Sequence, residues 1–166
     1  MLCLVVYLAL LSWFHNTNMP FLRGTAIVET EKGIILGESK SGRILLPGGG
    51  AKSGESRFLA AVRELREETT LKATCAKSLF EYRDLRDFHK VVWVAAYGIP
   101  KAKDDLVAIH YCDQSNISKF DSALTNATRN ILNLFWKYKF EHEDFFRSLE
   151  IANLQEIVTY KSRSII

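Results

Sequence analysis

Hydrophobic residues fall into short runs with β propensity over most of the chain and recur at helical spacing in three longer segments. The short runs are rich in Ile, Val and Leu and predict strands at residues 21–29, 33–38, 43–46, 73–80, 89–97 and 106–111. Glu31-Lys32-Gly33, between the first two runs, suits a tight hairpin turn. The fifth run contains Val-Val-Trp-Val-Ala-Ala, which is apolar enough to predict a strand at the centre of a sheet.

The first helical segment begins near residues 53–55, where Ser53 can act as the N-cap and Glu55 suits the positive end of the helix dipole. Its apolar positions recur at steps of three and four and predict one buried face: Phe58, Ala61, Val62, Leu65 and Thr69. Residues 122–139 and 141–160 predict a second and a third helix. No repeat, low-complexity tract or linker divides the chain, which therefore predicts one domain.

A glycine-rich stretch lies between the third predicted strand and the first predicted helix. Pro47 ends the strand, because proline has no amide hydrogen for a strand interior. Gly48, Gly49 and Gly50 then predict a loop that can adopt positive φ and lets other groups approach its backbone closely.

The first helix also carries three glutamates on one face, because Glu64, Glu67 and Glu68 are spaced at i, i+3 and i+4. Like charges at this spacing repel, and a bound cation would reverse the sign of the interaction. Mg²⁺ prefers such oxygen ligands and keeps several waters, which suits phosphate substrates. The alternative interpretation is a solvated face on which Arg63 and Arg66 balance the acidic residues.

From Gly49 onward the chain resembles the Nudix box, G-x5-E-x7-R-E-U-x-E-E-x-G-U, where U is aliphatic. Eight of the nine fixed positions are in register over 23 residues: Gly49, Glu55, Arg63, Glu64, Leu65, Glu67, Glu68 and Leu71. The remaining position departs from the pattern, because Thr70 replaces a glycine that would suit a left-handed residue after the helix. We therefore expect a different helix exit, with Thr70 at negative φ.

The resemblance implies an α/β (α+β) fold, in which a mixed sheet is sandwiched between helices, over roughly residues 21–136. It also implies an enzyme that hydrolyses a nucleoside diphosphate linked to another group, with Mg²⁺ or Mn²⁺ as cofactor. Water attacks one phosphorus of the pyrophosphate, and the metal neutralises charge and activates the water. The alternative is a Nudix-like module that binds or senses a nucleotide without turnover, against which the complete set of acids argues.

The family's site residues carry over by position. Glu67 and Glu68 resemble the main metal ligands, and Glu64 is either a ligand or the general base. Glu55 resembles an accessory ligand, and the backbone carbonyl of Gly49 is a further candidate. Arg63 is expected to hold the glutamates in place, since it lies four residues before Glu67. With Arg63, the three helix glutamates make up the predicted catalytic set.

Outside the box, Arg23 and the three glycines at 48–50 are candidates for binding the substrate. The commoner role for Arg23 is a surface arginine. Asp104 and Asp105 follow the predicted central strand, where relatives keep a further acid. Tyr82 and Phe88 either stack on a base or pack at a strand edge. No ADP-ribose, diadenosine polyphosphate, coenzyme A or NADH subgroup signature is recognisable, so the substrate is left open.

Composition adds limited information about partners. The net charge of +3 suits a small anionic substrate and is too weak to predict nucleic-acid binding. The three cysteines, Cys3, Cys75 and Cys112, are odd in number and unpaired in spacing, which predicts free thiols in a reducing compartment, the cytoplasm. Four histidines are scattered without a second ligand at metal spacing: His15, His89, His110 and His142.

The first 18 residues form an extension of open status before a single Nudix-like domain at 19–166. Residues 1–14 are almost wholly apolar but shorter than the ~20 residues of a membrane-spanning helix. They lack the charged start and cleavage site of a signal peptide. A core or dimer element, a weak membrane anchor and a non-native upstream extension all stay open. Membrane contact is expected only through residues 1–14, and a homodimer is one of the open arrangements.

Overall fold

The computed structural model describes residues 20–151 of the chain. The predictions for the N-terminal extension and for the last part of the third helix therefore lie outside the described residues. In residues 20–151, no helix has the length and apolarity needed to cross a membrane. Eight strands occur in chain order: β1 (Phe21–Ile27), β2 (Glu29–Thr30), β3 (Gly33–Ser39), β4 (Ile44–Leu45), β5 (Gly48–Gly50), β6 (Lys72–Arg83), β7 (Asp87–Tyr97) and β8 (Leu106–Cys112).

The strands form two four-stranded sheets. The first has the order β5-β1-β7-β6, in which β1 and β7 are parallel and the other neighbours are antiparallel. The second has the order β2-β3-β4, with β8 also paired to β3. The β2–β3 pair is the predicted hairpin, and β7 lies between β1 and β6 as its apolar sequence predicts. The mixed sheet expected from the sequence is therefore confirmed.

Two helices cover opposite faces of these sheets. They are α1 (Arg57–Thr69) and α2 (Asn126–Glu141), and residues 143–151 are also helical. Alternate residues of a strand point to opposite faces, so Val92 shares a core cluster with Leu65 of α1, whereas Val91 shares the other with Phe135 of α2. The fold is thus an α/β/α sandwich with a separate hydrophobic core on each side.

The glycine stretch is not the loop that the sequence predicts. Gly48–Gly50 forms β5, and its register with β1 pairs Gly24 with Gly49. Gly24 also lets α1 lie close to β1, since a Cβ on Gly24 would be 2.1 Å from the carbonyl oxygen of Arg57. Strand β1 therefore holds both the glycine strand and the acidic helix.

The start and the end of α1 differ from the sequence predictions. Ser56, and not Ser53, is the N-cap, and its side chain accepts a hydrogen bond from the amide of Leu59. Thr70 ends the helix at φ 64°, so the predicted negative φ is wrong. Strand β6 begins at Lys72, and a left-handed residue after the last helical turn is a common way to reverse the chain over so short a connection. The Thr70 hydroxyl donates a hydrogen bond to the carbonyl of Ile99 at 3.3 Å.

Candidate active site

The glycine strand β5 lies directly against the acidic face of α1. The amide of Gly48 donates a 2.9 Å hydrogen bond to Oε2 of Glu68. A Cβ on Gly49 would lie 2.3 Å from Oε1 of Glu64, so the close approach of this carboxylate requires glycine. The structure thus brings the predicted glycines and two of the predicted glutamates together.

Glu68 is the most deeply buried carboxylate of this group, with 6% of the residue exposed. The pKa of Glu68 is raised to about 7, mainly by burial and in smaller part by the neighbouring charges of Glu64 and Asp105. The hydrogen bond from Gly48 and the charge of Arg23 act in the opposite direction and only partly offset burial. A further positive charge beside Glu68 would therefore stabilise the ionised form of its carboxyl.

Arg63 joins the other glutamates. Its Nε donates to Glu55 at 2.8 Å, and its Nη1 donates to Glu64 at 2.6 Å and to Glu67 at 2.8 Å. Its Nη2 also donates to the carbonyl of Gly50 at 3.0 Å, which ties the helix to β5. The hydrogen bonds from Arg63 lower the pKa of Glu55 to about 2, so this carboxylate is ionised at neutral pH. All five N–H groups of the Arg63 guanidinium are used in these contacts, so Arg63 could bind a substrate only by giving up one of its hydrogen bonds.

The donor set fits a hard divalent cation. Four carboxylates converge on one face of α1 and the segment before it: Glu55, Glu64, Glu67 and Glu68. The guanidinium of Arg63 contacts three of them, and the exposed Lys52 ammonium lies 4.0 Å from Glu67, whereas Glu68 has no salt-bridge partner among residues 20–151. Carboxylate oxygens around an uncompensated negative charge are the ligands that Mg²⁺ and Mn²⁺ prefer.

Arg23 connects this acidic site to a neighbouring cavity of about 500 Å³. Its Nη2 donates to the carbonyl of Gly48 at 3.1 Å, whereas its buried Nε has no partner among residues 20–151. Arg43 and Arg86 line the same cavity, and so does the N-terminal end of α2. The three arginines and the helix N-terminus favour an anionic group, whereas Asp84 and Asp87 in the same lining favour a cation.

A second group of ligand-type side chains lies in this cavity, and the sequence analysis missed it. Asp84, Asp87 and His89 place one ligand atom each within 4.8 Å of one another. The sequence analysis found no second ligand at metal spacing for His89, whereas the structure brings Asp84 and Asp87 close to it. Burial lowers the pKa of His89 and favours a neutral imidazole. The Asp-x-His spacing at 87–89 was the available sequence signal.

The remaining candidates have partners within the protein. Tyr82 accepts a hydrogen bond from the side chain of Asn130 at 2.8 Å, and the Arg57 guanidinium lies over the Phe88 ring. Asp105 lies close enough to Glu68 to raise its pKa and is itself exposed. Asp104 occupies a left-handed position at φ 60° in the same loop. Of these four residues, Asp105 alone influences the acidic site in the described structure.

Comparison with known proteins gives consistent results. The model of the NUDIX domain matches residues 21–121. A solved structure from Chromobacterium violaceum, described as a nudix hydrolase family member, is 30% identical with a TM-score of 0.72, and the match covers 85% of this chain and 96% of that one.

More distant structures share the fold. One is a bifunctional NMN adenylyltransferase/ADP ribose pyrophosphatase from Francisella tularensis, complexed with AMP and a Mn ion. It is 22% identical with a TM-score of 0.61, and the match covers 80% of this chain and 46% of that one. A NUDIX hydrolase from Nitrosomonas europaea is 16% identical with a TM-score of 0.64, over 72% of this chain and 90% of that one. Comparison with curated proteins gives no significant match.

Proposed function

The chain belongs to the Nudix family of pyrophosphohydrolases, and we propose on that basis that it cleaves a nucleoside diphosphate linked to another group. The proposed reaction is attack of water on one phosphorus of the pyrophosphate, with Mg²⁺ or Mn²⁺ as cofactor. The observation that carries the proposal is the buried carboxylate of Glu68, which accepts a hydrogen bond from the Gly48 amide at 2.9 Å on the helix that also presents Glu64 and Glu67 to Arg63. A divalent cation supplies the charge that this arrangement lacks.

Glu64, Glu67 and Glu68 would hold the metal, with Glu55 and the backbone of Gly49 as further ligands. When bound, the metal would lower the pKa of a coordinated water and neutralise charge on the phosphate oxygens. Arg63 is a positioning residue, because it fixes Glu55, Glu64 and Glu67 through four hydrogen bonds of 2.6–2.9 Å. Glu64 serves either as a ligand or as the general base.

Arg23 and the glycine strand are proposed to bind the substrate. Arg23 donates to the carbonyl of Gly48 through Nη2 and also lines the neighbouring cavity. A guanidinium binds phosphate through charge-assisted hydrogen bonds, and glycine lets the phosphate approach the backbone. The Francisella tularensis structure, described with AMP and a Mn ion, is compatible with a nucleotide and a divalent cation on this fold.

Thr70 does not weaken the case for catalysis. It adopts the left-handed conformation that a glycine at this position would adopt, and the glutamates before it keep their contacts with Arg63 and Gly48. A module that only binds a nucleotide has less need of this complete acid set. We therefore favour turnover over binding alone.

A panel of nucleoside diphosphate derivatives tests the proposal, with product analysis in the presence of Mg²⁺ or Mn²⁺ and in excess chelator. We expect at least one derivative to be split at its pyrophosphate bond only when metal is present. Glu67→Gln should lose most of this activity, whereas Glu31→Gln, at an exposed acid in the β2–β3 turn, should keep it. Equal rates in Glu67→Gln and the parent protein would contradict the proposed site.

A further inference from the structure

We propose that Asp84, Asp87 and His89 form a second metal site, suited to Zn²⁺ or a similar borderline divalent ion. The three residues lie at the turn between β6 and β7 and at the start of β7. They are separate from the glutamates of α1, which belong to the site described above. The inference rests on their own geometry and does not depend on the proposed hydrolysis.

The ligand atoms are close to the spacing that a metal requires. Nε2 of His89 is 4.0 Å from Oδ2 of Asp84 and 4.0 Å from Oδ2 of Asp87. Zn²⁺ binds nitrogen and oxygen at about 2.0–2.2 Å, which places the ligand atoms of a tetrahedral ion about 3.4 Å apart. The two distances to His89 would therefore shorten by about 0.6 Å, and the two aspartate oxygens, which lie within 4.8 Å of each other, by at most about 1.4 Å. Both aspartate side chains are partly exposed, which leaves room for this movement.

His89 is the observation that separates this group from an ordinary acidic cluster. The residue is only 6% exposed, and its Nε2 has no hydrogen-bond partner among residues 20–151. A buried polar nitrogen without a partner is costly, so its position facing two carboxylates calls for a ligand between them. One imidazole with two carboxylates favours Zn²⁺ and related ions over Mg²⁺, which prefers oxygen alone.

Thr25 is placed to select the tautomer of His89 that binds metal. Its Oγ1 lies 2.9 Å from Nδ1 of His89, because β1 and β7 pair in parallel with Arg23 opposite His89. When Nδ1 carries the hydrogen and donates it to the Thr25 hydroxyl, the lone pair of Nε2 faces the two aspartates. Histidine ligands of metals generally donate their second ring hydrogen in this way. Thr25 is thus a positioning residue for the proposed site.

One carboxylate oxygen of Asp84 is also held before any ion binds. Oδ1 of Asp84 accepts hydrogen bonds from the amides of Arg86 at 2.8 Å and Asp87 at 2.7 Å, which fixes the turn. This leaves Oδ2 of Asp84 free for a ligand. Two carboxylates and one neutral imidazole would balance the charge of a divalent ion, and all three residues line the cavity that Arg23 and Arg86 also line.

Zn²⁺ titration of the full chain in excess Mg²⁺ tests the proposal, because Mg²⁺ competes for the glutamates of α1 and not for an imidazole. Calorimetry should detect a Zn²⁺ site in the parent protein that Asp87→Asn and His89→Gln each weaken by at least about 10-fold. His110→Gln is the matched control, because the His110 ring contacts Glu38, outside this cluster. This variant should bind Zn²⁺ as the parent does.

Two further measurements keep the test independent of folding defects. Long-range nitrogen NMR of the parent should show the Nε2 signal of His89 shifting on addition of Zn²⁺. Thr25→Val should weaken Zn²⁺ binding by about 10- to 100-fold, and Thr25→Ser, which keeps the hydroxyl, should restore it. Equal Zn²⁺ affinity in the parent and Asp87→Asn, or an unchanged His89 signal, would overturn the proposal. Neither result bears on pyrophosphate hydrolysis.

Discussion

Replacing Glu68 by glutamine should stabilise the metal-free protein at alkaline pH, although it removes a proposed metal ligand. Glu68 is 6% exposed, and burial raises the pKa of its carboxyl to about 7. At about pH 8 the folded protein must therefore keep a buried, ionised carboxylate near Glu64. Glutamine has the same shape, is neutral, and keeps an oxygen to accept the 2.9 Å hydrogen bond from the Gly48 amide.

The magnitude follows from the change in pKa between the unfolded and the folded protein. The ordinary pKa is 4.5 and the folded value is about 7, and each pKa unit corresponds to about 1.4 kcal/mol. Between these two pH values the unfolded chain has released the proton and the folded protein still holds it. The free energy of unfolding therefore falls through this window as pH rises, by about 3 kcal/mol in total. Below it, the carboxyl is protonated in both states and the difference disappears.

Urea unfolding of the parent and Glu68→Gln in excess chelator, at about pH 5 and about pH 8, measures this effect. We expect Glu68→Gln to be more stable than the parent at the higher pH, with a smaller difference at the lower pH. Glu67→Gln is the control, because Glu67 is 40% exposed and bonded to Arg63, so its neutralisation should bring no gain. A Glu68→Gln protein that is less stable than the parent at about pH 8 would refute the account of this carboxylate.

Three further predictions follow from single contacts. Gly49→Ala should displace the Glu64 carboxylate, because the new Cβ would lie 2.3 Å from its oxygen, and should destabilise the protein by about 1–3 kcal/mol. A titration should also show lower Mn²⁺ affinity in Gly49→Ala, and unchanged affinity would contradict this. Thr70→Gly should raise the thermal midpoint, because glycine removes the strain of about 1–2 kcal/mol that a left-handed β-branched residue carries. The lost hydrogen bond from the Thr70 hydroxyl reduces this gain, and a lower midpoint would show that Thr70 is unstrained. Alkylation followed by peptide mapping should label Cys75 before Cys112, because burial raises the pKa of the Cys112 thiol to about 11; faster labelling of Cys112 would argue against its burial.

The parts of the fold that depend on local sequence were predictable. Strand β7 follows from its apolar run, and the spacing of Glu64, Glu67 and Glu68 places them on one helix face whatever the surroundings. The register of β5 with β1 was not predictable, because three glycines have no side-chain pattern to indicate a strand. The N-cap was predicted three residues too early, because Ser53 and Ser56 are equally good caps in sequence.

Contacts between distant segments were beyond the sequence analysis. The Thr25–His89 hydrogen bond joins residues 64 apart and exists because β1 and β7 pair in parallel. The cluster with Asp84 and Asp87 is itself local, but nothing in the sequence indicates that the His89 ring is buried with Nε2 facing both carboxylates. Thr70 was expected at negative φ because a β-branched residue disfavours the left-handed region. That expectation left out the short connection from α1 to β6, in which Thr70 adopts φ 64°.

The most direct test of the central claim is hydrolysis of an active nucleoside diphosphate derivative in water enriched in heavy oxygen. Mass spectrometry of the products should show one heavy oxygen on a single phosphate fragment, with Mg²⁺ or Mn²⁺ required. Glu68→Gln should form no labelled product above the uncatalysed level. Heavy oxygen on the non-phosphate product, or labelled phosphate formed equally well in excess chelator, would contradict attack of water on phosphorus at a metal held by the glutamates of α1.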